Sequence, residues 1–206
     1  MTGTSEPLFA SAHAALAFAF NYSKQQYDRP MINRIATSST GQKGKGLSGT
    51  DGAGQAGMIR AELAKLTVLE QAVLTLSIAE RQIPCECHAA CCAGYKPNPE
   101  WMDALSVISS AAAAEALSGC ISNGRLRAGL IQKLFGVKVS LVDLAERCHV
   151  DADTAGSHHL KLKRWLFGHA SPGSLAVGTG LHQRALNAIT RRLLACGWIG
   201  SPGGAA

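Results

Sequence analysis

Cys85-Glu-Cys87-His-Ala-Ala-Cys91-Cys92 places four cysteines within eight residues. Thiolates at that density are ligands for a soft metal ion, and in a reducing cytosol the default is zinc. The expected ligands are Cys85, Cys87, Cys91 and Cys92. Cys91 and Cys92 are adjacent and reach one tetrahedral ion only through a sharp backbone bend, so His88 or Cys120 is the alternative for one of them. Four thiolates close the coordination shell, which points to a structural ion and away from a catalytic one, and Glu86 is the only general base nearby. A redox-active cluster and a set of unligated buried thiols are the competing readings. Seven cysteines, an odd number with no secretory signal before them, read against a secreted disulfide scaffold.

A second set of residues lies between Ser140 and Leu166. Ser140 is placed to cap a short helix, with Asp143 in its first turn where a carboxylate is favoured. Leu141, Leu144, Ala145 and Cys148 fall on one face, and the small Ala145 lets a second helix cross closely. His149, Val150 and Asp151 form a turn, His149 standing where a left-handed residue, usually glycine, is needed. Asp151 or Asp153 then caps a longer helix whose inner face is Ala155, His158, Leu162, Trp165 and Leu166. Thr154, Gly156, Ser157, His159, Lys161, Lys163 and Arg164 are left outside. Short hydrogen-bonding side chains followed by cations suit base edges and then phosphates, so this is the layout of a helix-turn-helix DNA reader.

Thr154-Ala-Gly-Ser-His158, followed by Leu162 and Trp165-Leu166, resembles the recognition helix of the LuxR-type and sigma-factor region 4 group, with Ala155 in place of the usual valine. Leu66-Thr-Val-Leu-Glu70-Gln-Ala-Val73-Leu74-Thr-Leu76 is similar to the first helix of the same fold, and Thr67 with Glu70 makes a capping box. About sixty residues separate the two pieces. The resemblance therefore implies an all-α, sigma region 4-like helix-turn-helix interrupted by a small zinc-binding insertion and by further helices.

The elements that must position these residues read as follows. Leu8 to about Tyr27 is an amphipathic helix with Phe9, Leu16 and Phe20 buried and Lys24 exposed, an arm expected to dock on its own domain. The Gly-, Ser- and Thr-rich stretch 38–57 reads as a flexible link. Gly41-Gln-Lys-Gly-Lys-Gly lacks phosphate-loop spacing and has no strand before it. Helices are expected over Gln55–Lys65 and Leu69–Ala79. Asn98-Pro99-Glu100 starts another through Trp101, Leu105, Ile108 and Ala112 towards Leu117, stopped by Gly119. Asn123 starts the next, through Leu126, Leu130, Ile131 and Leu134 to Gly136, carrying Arg125, Arg127 and Lys133. A final helix covers Leu181–Leu194, as a dimer helix or a lid on the core. The domain reading is an N-terminal arm (1–37), a linker (38–57), the DNA-binding domain (58–167) with its insertion (81–98), a second linker (168–180), and a C-terminal helix and tail (181–206).

Charge is unevenly placed. Residues 1–60 carry net +3, residues 61–120 net −4 and residues 121–206 net +7, so the strongest positive field coincides with the proposed reader. The acidic, cysteine-bearing middle is better suited to a protein than to phosphates. No run is long enough to span a bilayer, and no catalytic triad, paired carboxylates or dinucleotide loop is apparent, so no enzymatic activity is expected. His158 and His159 point about 100° apart on a helix and do not converge on one ion.

A region 4-like reader, an inserted cysteine cluster, an N-terminal arm and a length near 200 residues are similar to the phage Q-type late-gene antitermination proteins. That resemblance implies a cytoplasmic factor in a bacterial host that binds double-stranded DNA near a promoter and then modifies RNA polymerase. An ordinary helix-turn-helix repressor or activator, and a zinc-stabilised protein-interaction adaptor, are the alternatives.

Overall fold

The computed structural model describes residues 7–27, 49–87, 92–169 and 178–200. Among them are eight helices and two short antiparallel strand pairs: α1 (Ala12–Tyr27), α2 (Gly49–Leu63), α3 (Val68–Ile78), β1 (Gln82–Pro84), β2 (Tyr95–Pro97), α4 (Pro99–Ala114), α5 (Gly124–Leu134), α6 (Leu141–Arg147), α7 (Ala152–Phe167), β3 (Gly168–His169), β4 (Gly178–Thr179) and α8 (Leu181–Ala195). The protein is thus mostly helical, and none of the described helices is long and apolar enough to cross a membrane. The chain divides into two compact units, Met1–Leu66 with Asn187–Ala206, and Thr67–Leu186.

In the first unit α1 packs along α2. Ser11 Oγ accepts the Ala14 N–H at the start of α1, and Ala15, Leu16, Ile59 and Leu63 are buried between the helices. Phe9 N–H donates to Trp198 O at 3.1 Å, and the Phe9 ring lies 5.3 Å from Phe18 and 6.5 Å from Trp198. The segment before α1 is therefore docked on its own unit. Leu16 and Phe20 are buried, as the periodicity predicts, whereas α1 begins at Ala12 and not at Leu8, so Phe9 is buried through its bridge to Ile199 and not as part of a helical face; the Lys24 side chain lies outside the described residues. Arg60 donates to the Ala19 carbonyl at 3.1 Å and sits 5.0 Å over the Phe20 ring.

The second unit is built on caps that the sequence advertises. Thr67 and Glu70 form the capping box of α3. Asn98 Oδ1 accepts from the Glu100 N–H while its amide donates to Glu80 O, tying the start of α4 to the end of the α3 segment. α4 then packs along α3, and the buried Trp101 Nε1 donates to Leu76 O at 3.2 Å. Asn123 Oδ1 accepts from Arg125 and Leu126 N–H, Ser140 Oγ accepts from Val142 N–H, and Asp151, not Asp153, caps α7 through Asp153 and Thr154 N–H. Left-handed glycines stand after α4 and α5, Gly119 at φ 75° and Gly136 at φ 91°.

Helices α5, α6 and α7 each pack on the other two. Their shared core is Leu126, Leu130, Ile131, Leu144, Ala145, Ala155, His158, Leu162 and Leu166. Close approach of α5 and α6 depends on Gly129, where a Cβ would stand 2.7 Å from Leu144 Cδ2. The turn between α6 and α7 is tight: Val150 N–H returns to Ala145 O at 2.9 Å, Asn123 Nδ2 donates to Cys148 O, and His149 holds the left-handed conformation at φ 53°. Among the described residues His149 is the one non-glycine with positive φ.

The start of α2 and the place of Trp165 differ from expectation, and two strand pairs lie where none is expected. Helix α2 begins at Gly49, so residues 49–57 of the stretch read as a flexible link are helical; burial of Ala56 and Ile59 outweighs the low helix propensity of its glycines. The second expected linker begins and ends in the β3–β4 pair, Gly168 opposite Thr179 and His169 opposite Gly178. The cysteine segment is flanked by a strand pair, with Gln82 opposite Pro97 and Pro84 opposite Tyr95. Trp165 is half-buried, not a member of the inner stripe, and its Nε1 donates to Glu115 Oε2 at 3.0 Å. At about 100° per residue it lies at the edge of that stripe, about 20° from His158, where its indole N–H turns to the exposed Glu115 carboxylate.

Candidate functional site

The β1–β2 ladder brings the two halves of the cysteine segment together. Beyond Pro84, Cys85 N–H donates to Gly94 O at 2.8 Å, continuing the ladder by one rung. This places Cys85 and Cys87 on one arm opposite Cys92 on the other, with the three Sγ atoms all within 4.8 Å of one another. Thiolates arranged tetrahedrally at about 2.3 Å from zinc are about 3.8 Å apart, so modest side-chain rotations bring the three onto one ion. Cys85 and Cys92 are half-buried and Cys87 is exposed. Gly94 N–H points at Cys92 Sγ, 3.4 Å away, the kind of outer-sphere donor that steadies a ligating thiolate. The Cys87 backbone N–H draws the Cys85 pKa down, but the Cys87 and Cys92 thiols and burial outweigh it, and the net shift is upward. Crowded thiols resist ionisation in this way until a cation joins them. The donor set therefore fits a soft divalent ion.

Cys91 and His88, the remaining local candidates for a fourth ligand, lie outside the described residues. Cys120 does not join the cluster; its Sγ accepts from Lys161 Nζ at 3.1 Å instead.

The second candidate site is the open side of α7. The buried stripe Ala155, His158, Leu162 and Leu166 faces α5 and α6. Thr154, Ser157, Lys161, Lys163 and Arg164 are exposed, and Gly156 and His159 are half-buried. These residues do not form one cluster. Lys161 lies on the flank held by Cys120, whereas His159 and Lys163 lie on the other, near Lys133 of α5. Lys133 itself donates to the Val139 carbonyl. Directly opposite the buried stripe, at about 100° per residue, come Asp153, Leu160 and Arg164. The sequence pattern passed over Asp153 and Leu160 because one is acidic and the other apolar, although helical spacing alone puts both on the outer face.

Electrostatics along α7 are polar. Asp151 and Asp153 stand at its first turn and Lys161, Lys163 and Arg164 towards its end, each matched to the helix dipole. Both histidines are held below their ordinary pKa of 6.5: His158 by burial and then by Lys161, His159 by burial and then by Lys133 and Lys163. Near neutral pH they are therefore uncharged, and the positive field of α7 comes from its lysines and arginine.

Gly156 has no internal reason to be glycine. Its φ is not positive, and a Cβ built there meets nothing within 4 Å. Mid-helix glycine nevertheless costs about 0.5–1 kcal/mol relative to alanine.

No protein-family model matches the chain, and no curated protein or solved structure was found to resemble it.

Proposed function

We propose that the protein is a non-enzymatic, DNA-binding transcription regulator in which α6, the His149 turn and α7 act as a helix-turn-helix. The observation that carries the reading is the construction of α7. One stripe is buried on α5 and α6, and the open side presents Gly156, Ser157 and Arg164, with Asp153 and Leu160, between one edge bearing Thr154 and Lys161 and another bearing Lys163. In this reading Thr154, Gly156, Ser157 and His159 approach base edges, and Lys161, Lys163 and Arg164 hold phosphates. The left-handed His149 supports it further, since it produces the sharp exit that such a turn requires.

The ion at Cys85, Cys87 and Cys92 is proposed to be structural zinc, with Cys91 as the fourth ligand, or His88 in its place. The more specific assignment is a phage or prophage antitermination factor acting in the cytoplasm of a bacterial host, with RNA polymerase as its protein partner. Its support is the resemblance, together with a basic C-terminal region that follows an acidic, cysteine-bearing middle in the sequence.

The test is a titration of the metal-loaded protein against random duplex DNA at low and moderate salt. Affinity that collapses with salt supports DNA binding. A folded, zinc-loaded protein without DNA affinity would favour the interaction adaptor. Read-through of a terminator in a transcription assay then separates antitermination from ordinary repression or activation.

A further inference from the structure

We propose that Leu160 reads the C5-methyl group of a thymine in the major groove and is the specificity-determining residue at the centre of α7. The inference rests on the DNA-binding reading above and adds to it the class of base that the helix selects.

Leu160 is 54 % exposed at the middle of a helix whose Ala155, Leu162 and Leu166 are buried, while Trp165 is half-buried and Phe167, at the helix end, is partly exposed. It lies opposite that buried stripe, at the outermost part of the helix surface. Its neighbours one turn away are Gly156 and Ser157 on one side and Arg164 on the other, with Lys161 and Lys163 to left and right. The space above Gly156 is open, so Leu160 stands at the rim of a shallow, uncrowded step.

A partner that matches this surface must be anionic along two rims and apolar at a point between them. The major groove of duplex DNA has that form: phosphates border it, and the thymine methyl is the apolar group on its floor. The two acids at the start of α7 sharpen the placement. Asp151 and Asp153 are exposed and repel phosphates, so the first turn cannot rest on the DNA backbone. The phosphate contacts then fall to Lys161, Lys163 and Arg164 in the later turns, and Leu160 lies between these cations and the short side chains of Gly156 and Ser157 that approach base edges.

The experiment enriches binding sequences from a random duplex pool with the full-length, metal-loaded protein, then replaces each thymine of the enriched site by deoxyuridine, which removes only the methyl group. One replacement is expected to weaken the wild-type protein about fourfold, the worth of one buried methyl group. Leu160→Ala, which alters an exposed side chain and should melt as the wild type does, is expected to bind the thymine and deoxyuridine duplexes equally. A wild-type site with no methyl-dependent thymine, or a Leu160→Ala variant that keeps the full methyl dependence, overturns the proposal. Salt-sensitive binding without sequence enrichment also overturns it while leaving DNA binding intact. Absence of salt-sensitive binding to the random pool, with or without capture of an acidic protein, overturns the DNA-binding reading itself.

Discussion

Replacing Gly156 with alanine should move stability and DNA affinity in opposite directions. Position 156 is helical, lies in the interior of α7, and has open space where a Cβ would stand. The substitution therefore removes the entropic cost of a mid-helix glycine without a clash, and should stabilise the fold by about 0.5–1 kcal/mol. For a chain of this size that corresponds to a rise in Tm of roughly 1–4 °C. If the open space above Gly156 is where the duplex approaches, the added methyl displaces a base or phosphate from the helix surface. One good base interaction is worth on the order of 1–3 kcal/mol, or about thirtyfold in Kd at the middle of that range. The assay pairs thermal melts with binding isotherms on the same preparations. A variant that is more stable and binds DNA unchanged would show that Gly156 does not face the duplex. A variant that is less stable would mean that position 156 lacks the open space that a methyl group needs.

Replacing Lys163 and Arg164 together with alanine should lower the slope of log affinity against log salt by about 0.9 for each phosphate that is no longer neutralised; an unchanged slope in titrations of the double variant contradicts the placement of these cations. Cys87→Ser should reduce bound zinc, measured by metal analysis, and lower the melting temperature, because a structural ion contributes folding energy directly; full metal content with wild-type stability counts against Cys87 as a ligand. Gly129→Ala should destabilise the second unit by about 1–3 kcal/mol in denaturant titrations, since its Cβ meets Leu144 Cδ2 at 2.7 Å and the buried Leu144 side chain must turn aside; a neutral result would mean that Leu144 repacks without cost. Acid should destabilise the fold: His158 and His159 have folded-state pKa values below the ordinary 6.5, so between those values and 6.5 the unfolded chain binds more protons, and stability falls as pH drops through that window. His159→Gln should reduce this dependence, and identical pH profiles of the denaturation midpoint for variant and wild type would refute the assignment.

What the sequence discloses about this fold is mostly local. Asn98, Asn123, Ser140 and the Thr67–Glu70 box announce their helices because a cap is satisfied within a few residues of itself. The buried stripe of α7 is legible for the same reason, as is the need for a left-handed residue at His149. Helix α2 is not legible from its start, because Gly52, Gly54 and Gly57 have the composition of a linker and only packing against α1 outweighs it. The β1–β2 pair escapes notice because each strand is three residues long and its partner lies across the cysteine segment. In the same way, the proximity of Cys85 and Cys87 to Cys92 follows from that ladder and not from their spacing. Gly129 is a further case: its importance lies in its close approach to Leu144, fifteen positions away, that no periodicity displays.

The most direct test of the central claim is to map the backbone amide shifts of the zinc-loaded protein as duplex DNA is added. The account predicts that the perturbed amides concentrate between Asp153 and Arg164 and need more DNA to reach the same shift in the Lys163→Ala, Arg164→Ala variant. Shifts concentrated instead on β1, β2 and the cysteine segment, with α7 unaffected, would contradict it.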